Sequence, residues 1–259
     1  MNKIPMVSMS VMVLMTLWVV VTMPGQGLAQ DVNARELLVK MDDVLRGPSH
    51  DMRVFLDVKT KRWERKYEIR VQMKGLDYAF ARVLKPPKSE GQGFLRIKTR
   101  LWQYLPTAER TILIPPSLML DDFMGSDFSN DDFVKMSYMA DDYDATLLDE
   151  EALDGVPVYH LELLPKPDAP VTYGKLEVWL RKEDAGPVRW AFYNEKLKHI
   201  RTLYFSDFKD FGGHVVPAVW RMENLADPSR GTTVTIVDAR YGTDIPDKLF
   251  TRPNLEKYP

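Results

Sequence analysis

Four histidines and a run of aspartates are the residues whose types could support catalysis or metal binding. His50, His160, His199 and His214 are scattered, none within three to five residues of another. The HExxH spacing that sets two imidazoles on one helix face is therefore absent. Asp121, Asp122, Asp127, Asp131, Asp132, Asp141, Asp142 and Asp144 cluster in mid-chain. Asp127-x-Ser129-x-Asp131 opens like a calcium loop, but its sixth position is Asp132 where the turn requires glycine, and its twelfth is Tyr138 where a bidentate glutamate belongs. The same residues fit a helix start better. Ser129 is an N-cap, Asp132 completes an S-x-x-D capping box, and both acids favour the positive end of the helix. No cysteine is present, which removes thiol nucleophiles, disulfides and a lipid-modified N-terminal cysteine. There is no G-x-S-x-G elbow, no P-loop and no G-x-G-x-x-G. The reading is of a protein that is not an enzyme, such as a lipid hydrolase, and that needs no metal and no cofactor. Its work has to be done by a surface.

The acids lie in a stretch, residues 115–137, that breaks the pattern around it. It opens on Pro115-Pro116, carries the apolar run Leu118-Met119-Leu120, turns at Gly125-Ser126-Asp127 and starts a short helix at Ser129. Residues 66–74 show the surrounding pattern: Tyr67, Ile69, Val71 and Met73 alternate with Lys66, Glu68, Arg70, Gln72 and Lys74. That period of two means one dry face and one wet one. About a dozen such strands are predicted, with polar turns such as Asp154-Gly155 between them. No βαβ alternation occurs, so the sheet is antiparallel. Ahead of the strands, Asn33 can cap a helix over residues 34–46, with Leu37, Leu38, Met41, Val44 and Leu45 on one stripe. The tail, residues 244–250, reads as one helical turn that plugs Leu249 and Phe250 into one end of the sheet.

The first residues read as an export signal. Lys3 is the only charge before an apolar run over residues 6–23, Pro24-Gly25 ends the run, and Gly27 and Ala29 suit cleavage after Ala29. Residues 1–29 are then a signal peptide and residues 30–259 a single domain in the periplasm. The formal net charge of −2 becomes −3 on loss of Lys3, too acidic for a nucleic-acid partner. A monomer is expected.

A dozen antiparallel strands must twist and curl or split. If they curl, the concave face is apolar, and the alternation nominates Phe80, Leu95, Ile97 and Trp102 from the first half and Leu161, Leu176, Val178, Leu180, Trp190 and Phe192 from the second. Leu118, Met119, Leu120, Phe123 and Met124 would form a lid over that face. A solid core is the alternative for any one of these side chains.

Residues 124–133, MGSDFSNDDF, resemble the G-(S/T)-D-F-S-x-x-D signature of the LolA-like outer-membrane lipoprotein-sorting proteins. Leu101-Trp102-Gln103-Tyr104-Leu105-Pro106, Ile114-Pro115-Pro116-Ser117, residues 244–251 and Asn254-Leu255 are similar to the same family. The resemblance implies an incomplete, strongly curved antiparallel β-barrel with helices covering its concave face. It implies a periplasmic carrier that binds acyl chains of lipoproteins or related lipids and moves them towards the outer membrane, between an inner-membrane transporter and an outer-membrane acceptor. A lid that competes with cargo would keep affinity low enough for release, since each buried methylene contributes about 0.8 kcal/mol. The alternative implied by the same fold is a lipid-sensing regulator that binds an anti-sigma factor or a transporter.

Overall fold

Two β-meanders share one sheet. In the computed structural model, which describes residues 32–136 and 139–257, the first meander is β1 (Ser49–Lys59), β2 (Glu64–Lys74), β3 (Tyr78–Lys85), β4 (Gly93–Ile97), β5 (Arg100–Leu105) and β6 (Arg110–Leu113). The second is β7 (Tyr143–Leu153), β8 (Val156–Pro165), β9 (Lys175–Arg181), β10 (Pro187–Tyr193), β11 (His199–Asp210), β12 (Val215–Asn224) and β13 (Gly231–Tyr241). Strand β13 returns to pair with β1, giving the order β6-β5-β4-β3-β2-β1-β13-β12-β11-β10-β9-β8-β7. Every pairing is antiparallel, and the sheet does not close into a barrel. The signal-peptide expectation falls outside the described residues.

Local chemistry accounts for the elements. Helix α1 (Ala34–Arg46) has the predicted bounds, and Asn33 Oδ1 accepts from the amides of Arg35 and Glu36 at 3.0 and 3.3 Å. Leu37, Leu38, Met41 and Leu45 are buried and lie on Leu176, Val178, Leu180, Trp190 and Phe192. Asp154 and Gly155 both take positive φ, 51° and 83°, as a two-residue I′ hairpin between β7 and β8 demands. Along β2, Tyr67 and Ile69 are buried while Arg70 on the other face bonds Asp51 of β1 at 2.9 Å.

The topology obliges one segment to cross the sheet. Strands β6 and β7 stand at opposite ends of thirteen strands, about 58 Å apart if the sheet were flat. The chain between them carries Phe123 and Val134 into the apolar cluster over the first meander, then Met139 and Ala140 into the cluster over the second. On this path lie α2 (Asn130–Lys135) and α3 (Met139–Asp142). The sheet curls beneath it: β3 and β10 are six places apart in the order, about 29 Å in a flat sheet, yet Ala81 and Trp190 line one cavity.

The opposite face of the first meander is also covered. Phe80, Leu95, Trp102 and Tyr104 pack there against Ile245, Phe250 and Leu255, the last in α4 (Arg252–Glu256). Arg82 holds this tail by donating to the carbonyl of Leu255 at 2.8 Å. A Cβ on Gly93 would come within 2.8 Å of Arg82 Nη1 and of Leu255 Cδ1, so a larger residue there would push these side-chain ends aside.

Candidate functional site

The alternation of the central strands builds one apolar wall. Met52, Val54 and Leu56 of β1 point the same way as Ile69, Val71 and Met73 of β2, Ala79 and Ala81 of β3, Trp220 of β12, and Val234 and Ile236 of β13. The crossing segment supplies the roof with Phe123, Phe128, Phe133 and Met136, and Leu45 and Arg46 at the end of α1 contribute to the lining. Between wall and roof is a cavity of about 190 Å³. Of its twenty described lining residues seventeen are apolar; the exceptions are Arg46, His50 and Asp132. An apolar cavity of ~150 Å³ in a protein core stays dry and takes up benzene, so this space suits part of a hydrocarbon chain.

The roof is locked by aromatic packing on one side and by ion pairs on the other. Phe123 packs at 4.6 Å on Phe94 and stacks at 5.1 Å on Phe133. The capping box forms as expected, with Ser129 Oγ accepting from the Asp132 amide at 3.1 Å and Asp132 Oδ2 from the Ser129 amide at 2.8 Å. The acids also reach the sheet. Asp127 accepts from Arg230 Nε at 2.9 Å, Asn224 Nδ2 at 3.1 Å and Thr232 Oγ1 at 2.8 Å. Asp132 lies 3.0 Å from Arg201 of β11 and accepts from the Tyr173 hydroxyl. Asp131 accepts from Thr172 Oγ1 at 2.7 Å, and burial, its largest influence, raises its carboxyl above the ordinary range. Gly125, with φ 75°, sits so near Trp63 that a Cβ would approach its ring to 3.2 Å.

The predicted site residues divide by location. Phe123 and Trp190 line the cavity. Leu161, Leu176, Val178, Leu180 and Phe192 are on the same face but buried beneath α1. Met119 and Met124 are half-buried against the first-meander cluster. Leu118 and Leu120 are 43% and 61% exposed and do not line the cavity. Phe80, Leu95, Ile97 and Trp102 sit on the other face, with the C-terminal tail. The reason is parity. Both faces of β3 and β4 are covered, so the strands are nearly continuously apolar and alternation no longer names the inner face. The inner positions of β3 are the small ones, Ala79 and Ala81, and their size leaves the space open.

Sequence reasoning assigned residues 115–124 to the cavity and 125–132 to turn and cap. The structure puts Phe128 and Asp132 of the second part, and Phe133 just beyond it, on the lining as well. The signal for this was the recurrence of phenylalanine at positions 123, 128 and 133 in an otherwise polar stretch. The histidines also gather more than their spacing suggested: His50 and His214 both contact Tyr241, at 5.7 and 3.9 Å between ring centroids. Among the described residues no group of three or more His, Asp or Glu side chains is placed to hold a metal ion.

The model of a family described as Uncharacterized protein-like matches residues 75–257. Among solved structures, the chain is similar to a DUF1329 family protein from Desulfovibrio piger, with 23% identity, 86% of this chain and 97% of that one covered, and a TM-score of 0.80. It is similar to a domain from Vibrio parahaemolyticus described as an outer membrane lipoprotein-sorting protein, with 22% identity, coverage of 87% and 100%, and a TM-score of 0.76. A LolA superfamily protein from Nitrosomonas europaea aligns at 25% identity over 86% of this chain and 99% of that one, with a TM-score of 0.72. A comparison with the curated proteins finds no match.

Proposed function

The chain belongs to the family matched over residues 75–257 and has the fold of the LolA-like proteins, and from this premise we propose that it is a carrier that holds acyl chains of lipids or lipoproteins in the cavity beneath its crossing segment. The observation that carries the reading is the cavity: seventeen of its twenty described lining residues are apolar, and they come from a curled sheet and a separate roof. Such a space gains from any hydrocarbon that enters it, at about 0.8 kcal/mol per methylene. The described roof already fills much of the concavity with Phe123, Phe128 and Phe133. A larger acyl load has to displace these rings, so net affinity is the difference between cargo burial and roof burial. That difference permits release as well as capture, and no covalent step is required.

The wider role follows from the same premise. Lys3, the apolar run and the small residues Gly27 and Ala29 support export with cleavage after Ala29. The carrier would then work in the periplasm, loading from an inner-membrane transporter and unloading to an outer-membrane acceptor.

The test is to purify the protein beginning at Gln30 from its native host, extract bound lipid for mass spectrometry, and titrate the delipidated protein with N-phenyl-1-naphthylamine. Co-purifying lipid and saturable probe uptake are expected. A protein that brings down no lipid and takes up no probe is not a carrier of this kind.

A further inference from the structure

The three polar residues on the cavity wall differ in what they have left to offer. Arg46 directs one guanidinium nitrogen to Asp42 and another, at 2.6 Å, to the carbonyl of Met136. Asp132 is occupied by the Ser129 amide, the Tyr173 hydroxyl and Arg201. His50 is different. It is 2% exposed, and its Nδ1 lies 3.0 Å from the carbonyl oxygen of Arg46. A carbonyl can only accept, so Nδ1 carries the proton. Burial, the largest influence, lowers the pKa of the ring to about 4, which keeps it neutral at physiological pH. Its Nε2 is then a bare lone pair, and no described residue donates to it. The ring lines a cavity whose other walls are almost all apolar, so a ligand that brings a donor there would satisfy an acceptor that the protein leaves open.

We propose that Nε2 of His50 is the polar anchor of the cavity, and that the molecule held there is an uncharged lipid whose hydroxyl donates to it. The proposal rests on the carrier reading and narrows its cargo. An ionised head is a poor match. Arg46 is the only cation among the described residues of the lining and its charge is already paired with Asp42, so a buried carboxylate or phosphate would find no free counter-charge among them. A hydroxyl brings a donor, no charge and little volume.

Displacement of N-phenyl-1-naphthylamine by three ligands of one chain length tests this: dodecan-1-ol, its methyl ether and dodecanoate at pH 7.5. The alcohol is expected to displace the probe at about fivefold lower concentration than the ether, the worth of one hydrogen bond, with dodecanoate weakest. His50→Phe should abolish the gap between alcohol and ether. Equal displacement by alcohol and ether in the wild type, or tightest binding of dodecanoate, overturns the proposal while leaving the carrier intact. Failure of the probe and all three ligands to bind overturns both. Because His50→Phe could disturb folding, the wild type carries a second readout. The Nε2 nitrogen resonance of His50 should move on adding dodecan-1-ol and stay in place on adding the ether, and an unmoved resonance with the alcohol bound also overturns the assignment.

Discussion

Nε of Arg230 lies 2.9 Å from Oδ1 of Asp127, a carboxylate whose side chain is 1% exposed. The aspartate belongs to the segment that crosses the sheet and the arginine to the approach to β13, 103 residues later. The pair therefore ties the roof of the cavity to its rim. It is also where a sequence-level cluster of acids finds its purpose.

Asp127→Ala should destabilise the fold by roughly 2–4 kcal/mol, because Arg230, Asn224 and Thr232 lose their shared acceptor while remaining mostly buried. Urea unfolding reads this as a lower midpoint at unchanged slope. A loss below 0.5 kcal/mol would show that the tie is replaced by water.

The two faces of β3 should respond oppositely. Ala81→Leu places a larger side chain in the cavity and should cut probe uptake at least tenfold while changing stability by less than about 1.5 kcal/mol. Phe80→Ala leaves a void beneath the C-terminal tail and should cost about 3–5 kcal/mol while uptake per folded molecule is kept. Reversal of the two effects would mean that the cavity is not the binding site.

Leu120 and Phe123, three residues apart in the roof, should also separate. Leu120→Asp acts on a side chain 61% exposed and should shift stability by no more than about 0.5 kcal/mol. Phe123→Asp puts a charge between Phe94 and Phe133 and should unfold or open the roof, seen as protease cleavage within residues 115–136. Equal tolerance of both would contradict the packing of Phe123.

Acid should weaken the fold through His50. Its pKa falls from 6.5 to about 4 on folding, chiefly by burial, so the unfolded chain binds the proton first. Stability from this group is full above pH 6.5, declines as pH falls towards 4, and the total loss is roughly 3 kcal/mol. Asp42 and Asp131, both raised mainly by burial, act in the opposite sense. The contribution is therefore read as the difference between wild type and His50→Phe across that window. Parallel stability curves for the two proteins would refute it.

Much of this molecule is legible in local chemistry. The stripe of Leu37, Leu38, Met41 and Leu45 and the capping side chain of Asn33 mark α1 to the residue, since a helix start and its apolar face are written within a few positions. The strict alternation of β2 and the Asp154-Gly155 turn are equally local. The same holds for the capping box at Ser129 and Asp132.

The site was legible only in part. Phe80, Leu95 and Trp102 looked like the inner face because they are large and apolar, yet the tail with Ile245, Phe250 and Leu255 claims them. The inner positions are Ala79 and Ala81, whose small size signals open space only once their face is known. Arg201 and Arg230 gave no sign of meeting Asp132 and Asp127, because ion pairs between residues so distant in sequence depend on the whole sheet being in place.

The sequence by itself determined the antiparallel strands, the capped helices and an interrupted middle, because each depends on periods of two or 3.6 residues and on side chains that reach their own backbone. Only the tertiary structure decided which face of each doubly covered strand meets the cavity, which arginines hold the roof, and that His50 is the lining residue with an acceptor to spare. Those outcomes depend on the curl of thirteen strands and on where residues 115–136, 139–142 and 245–257 come to rest, and no local pattern encodes either.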